Sequence, residues 1–164
     1  MTAHGAKDHL AETITVRLNT VMHFKISGGA LTMLKDLWDL AQGLVGLRDH
    51  FEKAKRERKD RIAEYFTTTG NIIQEASDIF KQGDVPHGKC QQMLDQASYF
   101  VEVVGDTIDR EKAIEFQKKL INSYELEMLA YEILESVDKE EKIAEMEKIS
   151  GSFIALGTAI KAAR

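Results

Sequence analysis

A long helical period in residues 31–80 constrains this chain more than any other feature. Apolar side chains recur there every three or four residues, the spacing of a helix that packs one face against a core. We therefore predict one continuous helix of about 50 residues, roughly 75 Å long at 1.5 Å per residue. The alternative is an antiparallel hairpin broken at residues 58–60, where the apolar stripe thins, although neither proline nor glycine lies at that point.

Two glycines interrupt the first part of this period. Gly43 and Gly46 each cost about 1 kcal/mol relative to alanine inside a helix. We therefore expect either the close approach of a neighbouring helix or a bend at these positions.

The remaining sequence also indicates helices. With one proline and eleven glycines among 164 residues, the composition favours an all-α protein. Residues 1–8 are predicted to be disordered and residues 9–26 to be helical. Gly83 and Pro86 mark a turn, the next helix ends at Gly105, and Asp109 caps a fourth helix that runs to residue 134.

A final helix follows residue 138. Its predicted core residues are Ile143, Met146, Ile149, Phe153, Leu156 and Ile160. We predict a single domain, residues 1–164, that forms a bundle of four to five helices with the 31–80 helix as its spine.

Positive charge is concentrated in residues 53–61 of a chain whose formal net charge is −5. The six basic residues of this segment are Lys53, Lys55, Arg56, Arg58, Lys59 and Arg61. They are candidates for binding an anionic partner. Glu57 and Asp60 interrupt the run, and no aromatic residue lies within it to stack on bases. We favour a solvated helical stretch and do not expect nucleic acid as a partner.

The last helix has an uncharged stretch from residue 149 to residue 160. Small residues recur there every four positions, at Gly151, Ala155 and Ala159, and would let another helix come close. Larger apolar residues lie opposite them: Phe153, Leu156 and Ile160. The stretch is too short to span a bilayer, and such a helix usually lies in a core. The alternatives are docking on a partner chain or insertion of residues 150–164 into a membrane.

Catalytic chemistry has little support in this sequence. His87 and Cys90 stand three residues apart at a helix start, but a zinc site needs three or four ligands and the chain has no second cysteine. Phosphate-binding glycine loops are absent. We predict no catalytic, cofactor or metal site, with an enzyme centred on His87 and Cys90 as the alternative. The N-terminus has no apolar segment of the signal-peptide type, so we expect a cytoplasmic protein.

Three strings, at residues 30–41, 83–90 and 104–108, resemble small all-helical proteins of cyanobacteria and related bacteria. The resemblance covers about half of the chain and implies a helical fold. It transfers no functional residue, because that group has no established activity. The general layout is also similar to the helical bundles of bacterial and fungal cell-death effectors, whose terminal helices attack membranes.

These observations favour a non-enzymatic interaction or adaptor module that works through its helix faces. The alternative is a membrane-acting effector that uses residues 150–164. We also expect a homo-oligomer, with a dimer favoured, because three helices of about 20 to 28 residues cannot cover a spine of about 75 Å. A membrane partner is not favoured.

Overall fold

The computed structural model describes residues 30–121 and 133–163, and within these ranges the regular structure is helical throughout. The α-helices are α1 (Ala30–Val45), α2 (Arg48–Glu52), α3 (Arg56–Lys81), α4 (His87–Ser98), α5 (Phe100–Val104), α6 (Arg110–Ile121) and α7 (Lys139–Ala162). This arrangement confirms the all-α bundle. The predictions for residues 1–8 and 9–26 lie outside the described residues, as do residues 122–132 of the helix predicted after Asp109.

The predicted spine is divided into three helices. A long helix is confirmed as α3, whose 26 residues extend about 39 Å. Its predicted continuation back to residue 31 is wrong, because the chain turns at residues 46–47 and again at residues 53–55. The alternative break at residues 58–60 is also wrong, since those residues lie inside α3.

Burial of Phe51 explains why the chain turns between α1 and α3. Phe51 is fully buried, and its ring centroid lies 5.3 Å from that of Phe66 on α3. A straight helix would carry Phe51 away from Phe66, whereas two turns fold it back onto α3. Burying a phenylalanine stabilises the fold by about 2 to 3 kcal/mol, and the amides of Gly46, Leu47, Lys53 and Ala54 still donate to backbone carbonyls at the turns.

Gly43 lies inside α1 and Gly46 directly follows it, and both positions show the features expected from the sequence. A Cβ atom on Gly43 would lie 3.3 Å from Cζ of Phe116, so α6 approaches α1 closely there. Gly46 lies at the bend, where the Leu47 amide donates to the Leu44 carbonyl at 3.0 Å. Both expectations, a close neighbour and a bend, are confirmed.

The turn signals beyond α3 are confirmed as well. Gly83 adopts a positive φ of 86° directly after α3, and the Pro86 carbonyl accepts the first amide hydrogen bond of α4, from Cys90 at 3.0 Å. Gly105 has a φ of 51° at the end of α5, as predicted, but the single helix predicted between Pro86 and Gly105 is wrong, because the chain divides at Tyr99 into α4 and α5. The Asp109 carboxylate accepts a hydrogen bond from the Lys112 amide at 3.0 Å, which is the predicted N-cap of α6.

Helices α3 and α7 form the closest pair in the bundle. They run antiparallel, so that Ala63 faces Gly157, Gly70 faces Ser150, and Ser77 faces Ile143. Small residues thus recur every seven positions along α3, which is the period of helices that cross at a shallow angle. Backbones can approach closely along this line because α3 contributes a small residue at each of these contacts.

Aromatic rings join this pair to the other helices. Phe66 contacts Phe153 of α7 at a centroid distance of 6.2 Å, and Tyr65 contacts Phe100 of α5 at 5.8 Å. Phe100 in turn lies 6.3 Å from Phe116 of α6. The described helices therefore share one apolar core, and the predicted core residues of α7 are buried in it.

Candidate interaction surfaces

The basic residues of segment 53–61 divide into two groups. Lys53, Lys55 and Arg56 are exposed in the turn and at the start of α3. The other three contact the rest of the bundle. Arg58 Nη1 donates to the carbonyl oxygens of Glu102 at 2.8 Å and Val103 at 3.2 Å, in the last turn of α5.

The remaining two cations also bind within the chain. The side chain of Lys59 is only 9% exposed, and its Nζ donates to the Ala163 carbonyl just beyond α7. Arg61 lies 3.6 Å from the Glu102 carboxylate. Cations are favourable at helix C-termini, where carbonyl oxygens lack helical partners. Three of the six basic side chains in this segment, which was predicted to be solvated, therefore cap or pair with neighbouring elements.

The interaction candidates of the last helix lie on two opposite sides of α7. Phe153, Leu156 and Ile160 face inward and are buried. Gly151 and Ala155 are exposed, and Ala159 is half-buried. Within residues 30–121 and 133–163, a Cβ atom on Gly151 would meet nothing within 4 Å, so none of the described helices packs against this position.

Close approach occurs instead on the inner side of α7, at residues that the sequence interpretation did not single out. A Cβ atom on Gly157 would lie 2.6 Å from the Ala63 carbonyl oxygen, and one on Gly70 would lie 2.6 Å from Cγ1 of Ile154. Ser150 Oγ donates to the Gly70 carbonyl at 2.8 Å. The seven-residue spacing of the small residues Ala63, Gly70 and Ser77 is the sequence pattern that could have predicted this close contact.

His87 and Cys90 begin α4. His87 is exposed, whereas Cys90 is half-buried beside an apolar crevice of about 30 Å³ that also contacts Met93 and Met146. That volume holds about one water molecule, too little for a substrate. Among residues 30–121 and 133–163, no three histidine, cysteine, aspartate or glutamate side chains are grouped so as to hold a metal ion.

An open groove of about 460 Å³ lies between α3 and α4, which the sequence interpretation missed. Asn71 and Glu75 line one side, and Gln96 lines the other. Lys89 of α4 forms an ion pair with Glu75 of α3 across the groove. Tyr99, 58% exposed, stands at its end between α4 and α5.

Buried contacts fix the walls of this groove. The Tyr65 hydroxyl donates to the Gln96 carbonyl at 2.8 Å, and burial raises the pKa of Tyr65 despite a hydrogen bond with Thr69. From α6, Gln117 Nε2 donates to the Ser98 carbonyl at 2.9 Å. The end of α4 and the position of Tyr99 are therefore held from two sides.

A larger recess, about 990 Å³, lies where α3 begins and α7 ends. Its lining combines the cations Arg56, Lys59 and Lys161 with the carboxylates Asp60 and Glu64. Because both signs of charge are present and Lys59 is already bonded to a carbonyl, the recess favours neither an anionic nor a cationic ligand.

Comparisons with known proteins add no assignment to these surfaces. Searches against protein-family models, curated proteins and solved structures found no match to the chain. Within the described ranges, none of the helices has the length and apolar character needed to cross a bilayer.

Proposed function

We propose that this protein is a non-enzymatic helical interaction module that dimerises through the outer face of α7. This outer face comprises Gly151, Ala155, Thr158 and Ala159. The observation that supports the proposal is that residues 149–160 carry no charge on any side of α7, although Gly151, Ala155 and Thr158 are exposed. An exposed helix usually carries charged residues on its solvent side.

A second copy of the chain is the partner that suits this face. Two outer faces present the same small, uncharged surface to each other, so pairing buries no charge and satisfies twofold symmetry. Glycine and alanine let the two backbones come close enough for extensive van der Waals contact. The inner side of the same helix already packs against α3 in this manner, at Ser150 and Gly157.

The reason for expecting a dimer has changed. A spine of about 75 Å would have needed a second copy of the chain, because the other helices could not cover it. In the structure, α3 and α7 have 26 and 24 residues and pack along each other, so no part of a long spine is left uncovered for that reason. The dimer is proposed here from the exposed outer face alone.

The other expected functions have less support. A membrane-acting role for residues 150–164 would require Phe153, Leu156 and Ile160 to leave the core in which they are buried. An enzyme centred on His87 and Cys90 would need a substrate-sized cavity, and the crevice beside Cys90 holds about one water molecule. The cytoplasmic location stays a prediction.

Sedimentation velocity over a range of protein concentrations tests the dimer. We expect the wild-type protein to shift from monomer to dimer with concentration, and Ala155→Glu to remain monomeric because pairing would bury two carboxylates. Gln42→Glu is the matched control. It adds the same charge at an exposed position of α1 and should dimerise as the wild type does.

Two outcomes would overturn the proposal. One is a wild-type monomer at every concentration. The other is a marked loss of thermal stability in Ala155→Glu without any change of mass, which would show that the outer face is covered by another part of the same chain.

A further inference from the structure

We infer that the groove between α3 and α4 binds an extended segment of a partner protein and holds an arginine of that segment between Asp95 and Tyr99. This inference goes beyond the proposed dimer and does not depend on it. The groove involves Thr68 and Asn71 of α3, whereas α3 contacts α7 through Ala63 and Gly70. The groove therefore lies on a different side of α3 from α7.

The shape of the groove favours a segment of a larger molecule. Its volume of about 460 Å³ lies within the usual range for ligand sites, but it is open to solvent along its length. A small molecule is normally enclosed over most of its surface. A polypeptide segment needs only a trough, because the rest of the partner remains outside it.

The amide side chains of the groove match the hydrogen-bonding groups of a peptide backbone. Asn71, Gln92 and Gln96 lie on its two sides, and each amide offers both a donor and an acceptor. A peptide unit offers the same pair. Within the described parts of the chain, the side-chain amides of Asn71 and Gln96 make no hydrogen bond, so they are available to a segment between them.

The charge of the groove favours a cation on that segment. Glu75 and Asp95 are its two carboxylates, and Lys89, its one cation among the lining residues, is paired with Glu75. Among the described residues, the Asp95 carboxylate accepts only a neutral hydrogen bond, from Gln91 Nε2 at 3.1 Å. Its negative charge is therefore left to attract a positive group from outside.

Tyr99 makes arginine the best cation for this position. It follows Asp95 by four residues at the end of α4, and more than half of its surface is exposed. A guanidinium group can stack on the tyrosine ring and also donate two parallel hydrogen bonds to a carboxylate, which a lysine cannot do. Gln117 holds the last carbonyl of α4 and so keeps Tyr99 in place beside Asp95.

Nuclear magnetic resonance of the isotope-labelled, full-length protein tests this inference. The probe is a short, blocked glycine–serine peptide with one central arginine, and its controls carry glutamine or glutamate at that position. We expect the arginine peptide to shift the side-chain amide signals of Asn71 and Gln96 and the signals of Tyr99. We expect a dissociation constant on the order of 1 mM, because one anchoring side chain offsets little of the cost of ordering a flexible peptide.

Variants separate the two parts of the arginine site. Asp95→Asn and Tyr99→Leu should each weaken binding about tenfold, whereas Tyr99→Phe should bind as the wild type does because it keeps the ring. Asp39→Asn is the matched control. It removes one negative charge from an exposed position on α1 and should leave binding unchanged.

Three results would overturn the inference. The first is equal binding of the arginine and glutamine peptides, or no shift with either. The second is an equal loss in Asp39→Asn and Asp95→Asn, which would indicate attraction to the overall negative charge. The third is equally tight binding of free, blocked arginine, which would show that the groove does not recognise an extended segment.

Discussion

The inner and outer sides of α7 have similar sequences but different environments. Each side carries small residues. Ser150 and Gly157 lie on the inner side, and Gly151 and Ala155 lie on the outer side. On the inner side these residues allow contact with the α3 backbone, and the space for a Cβ atom is already occupied. On the outer side, no described residue lies within 4 Å of a Cβ atom placed on Gly151. The difference shows that a stripe of small residues indicates where a helix can approach closely and leaves open whether one does.

Truncation of a large side chain should give the largest difference between the two sides. Phe153→Ala removes a ring that is 1% exposed and should lower the free energy of unfolding by about 3 to 5 kcal/mol. Thr158→Ala, on the exposed side, should change it by less than about 0.5 kcal/mol. Urea denaturation measures both values, at a protein concentration low enough to keep the variants monomeric. If Phe153→Ala fails to fold, Phe153→Leu should cost about 1.5 kcal/mol. Similar values for the inner and outer variants would contradict the comparison.

Adding one methyl group tests the two glycines directly. Gly157→Ala should destabilise the protein by about 1 to 3 kcal/mol, because its Cβ would meet the Ala63 carbonyl on a backbone that cannot move aside. Gly151→Ala should stabilise it by about 0.5 to 1 kcal/mol, because alanine is the better helix former and no described atom lies within 4 Å of the added methyl group. The measurement is urea denaturation at a concentration low enough to keep both proteins monomeric. A stabilising Gly157→Ala would show that the two helices are farther apart.

The same distinction between inward and outward residues applies to the basic segment 53–61. Arg58→Met should cost about 1 kcal/mol, because it leaves the Glu102 and Val103 carbonyls at the end of α5 without their donor. Arg56→Met removes the same charge from an exposed position two residues away and should cost less. Thermal denaturation compares the two variants. Equal losses would indicate that net charge, and not capping, explains the effect.

The smallest effect is expected at the exposed edge between α3 and α7, where Glu147 pairs with Lys81. The hydrogen bond from Lys81 lowers the pKa of Glu147, and the same bond raises the pKa of Lys81. A lowered carboxyl pKa contributes stability at pH values above the unfolded-state pKa, and that stability is lost as the pH falls through the lower, folded-state pKa. A raised lysine pKa contributes stability that is lost only as the pH rises through its folded value, in the alkaline range.

Glu147→Gln should therefore flatten the acid limb of the stability profile slightly, as measured by urea denaturation at several pH values. The exposed Glu140 of the same helix provides the control, Glu140→Gln. An acid limb that changes equally in both variants would assign the effect to net charge and not to the pair with Lys81.

Much of the fold could be predicted from local sequence. The cap at Asp109, the turn from Gly83 to Pro86 and the end of α5 at Gly105 depend on residues close to one another along the chain. The bend at residues 46–47 also has a local signal in Gly46, but the break at residues 53–55 could not be predicted in this way. It depends on Phe51 packing against Phe66, and no proline or glycine marks it.

The candidate surfaces were predicted less completely. The uncharged stretch of α7 was visible in the sequence, but its division into a packed side and an exposed side depends on which face meets α3. The groove beside Tyr99 was not visible, because its lining comes from two helices and Lys89 pairs with Glu75 only after they pack. Spacing along one helix carries no information on such pairs.

By itself, the sequence determined the all-α class, the helix ends marked by Gly83, Gly105 and Asp109, and much of the core, because periodicity and capping act over a few neighbouring residues. Only the tertiary structure decided that residues 31–80 turn again at residues 53–55, which small residues of α7 meet α3, and which cations of segment 53–61 cap other helices. Each of these outcomes depends on contacts between residues far apart in the chain. Their energies are set by the complementary shapes of two surfaces, which neither segment specifies alone.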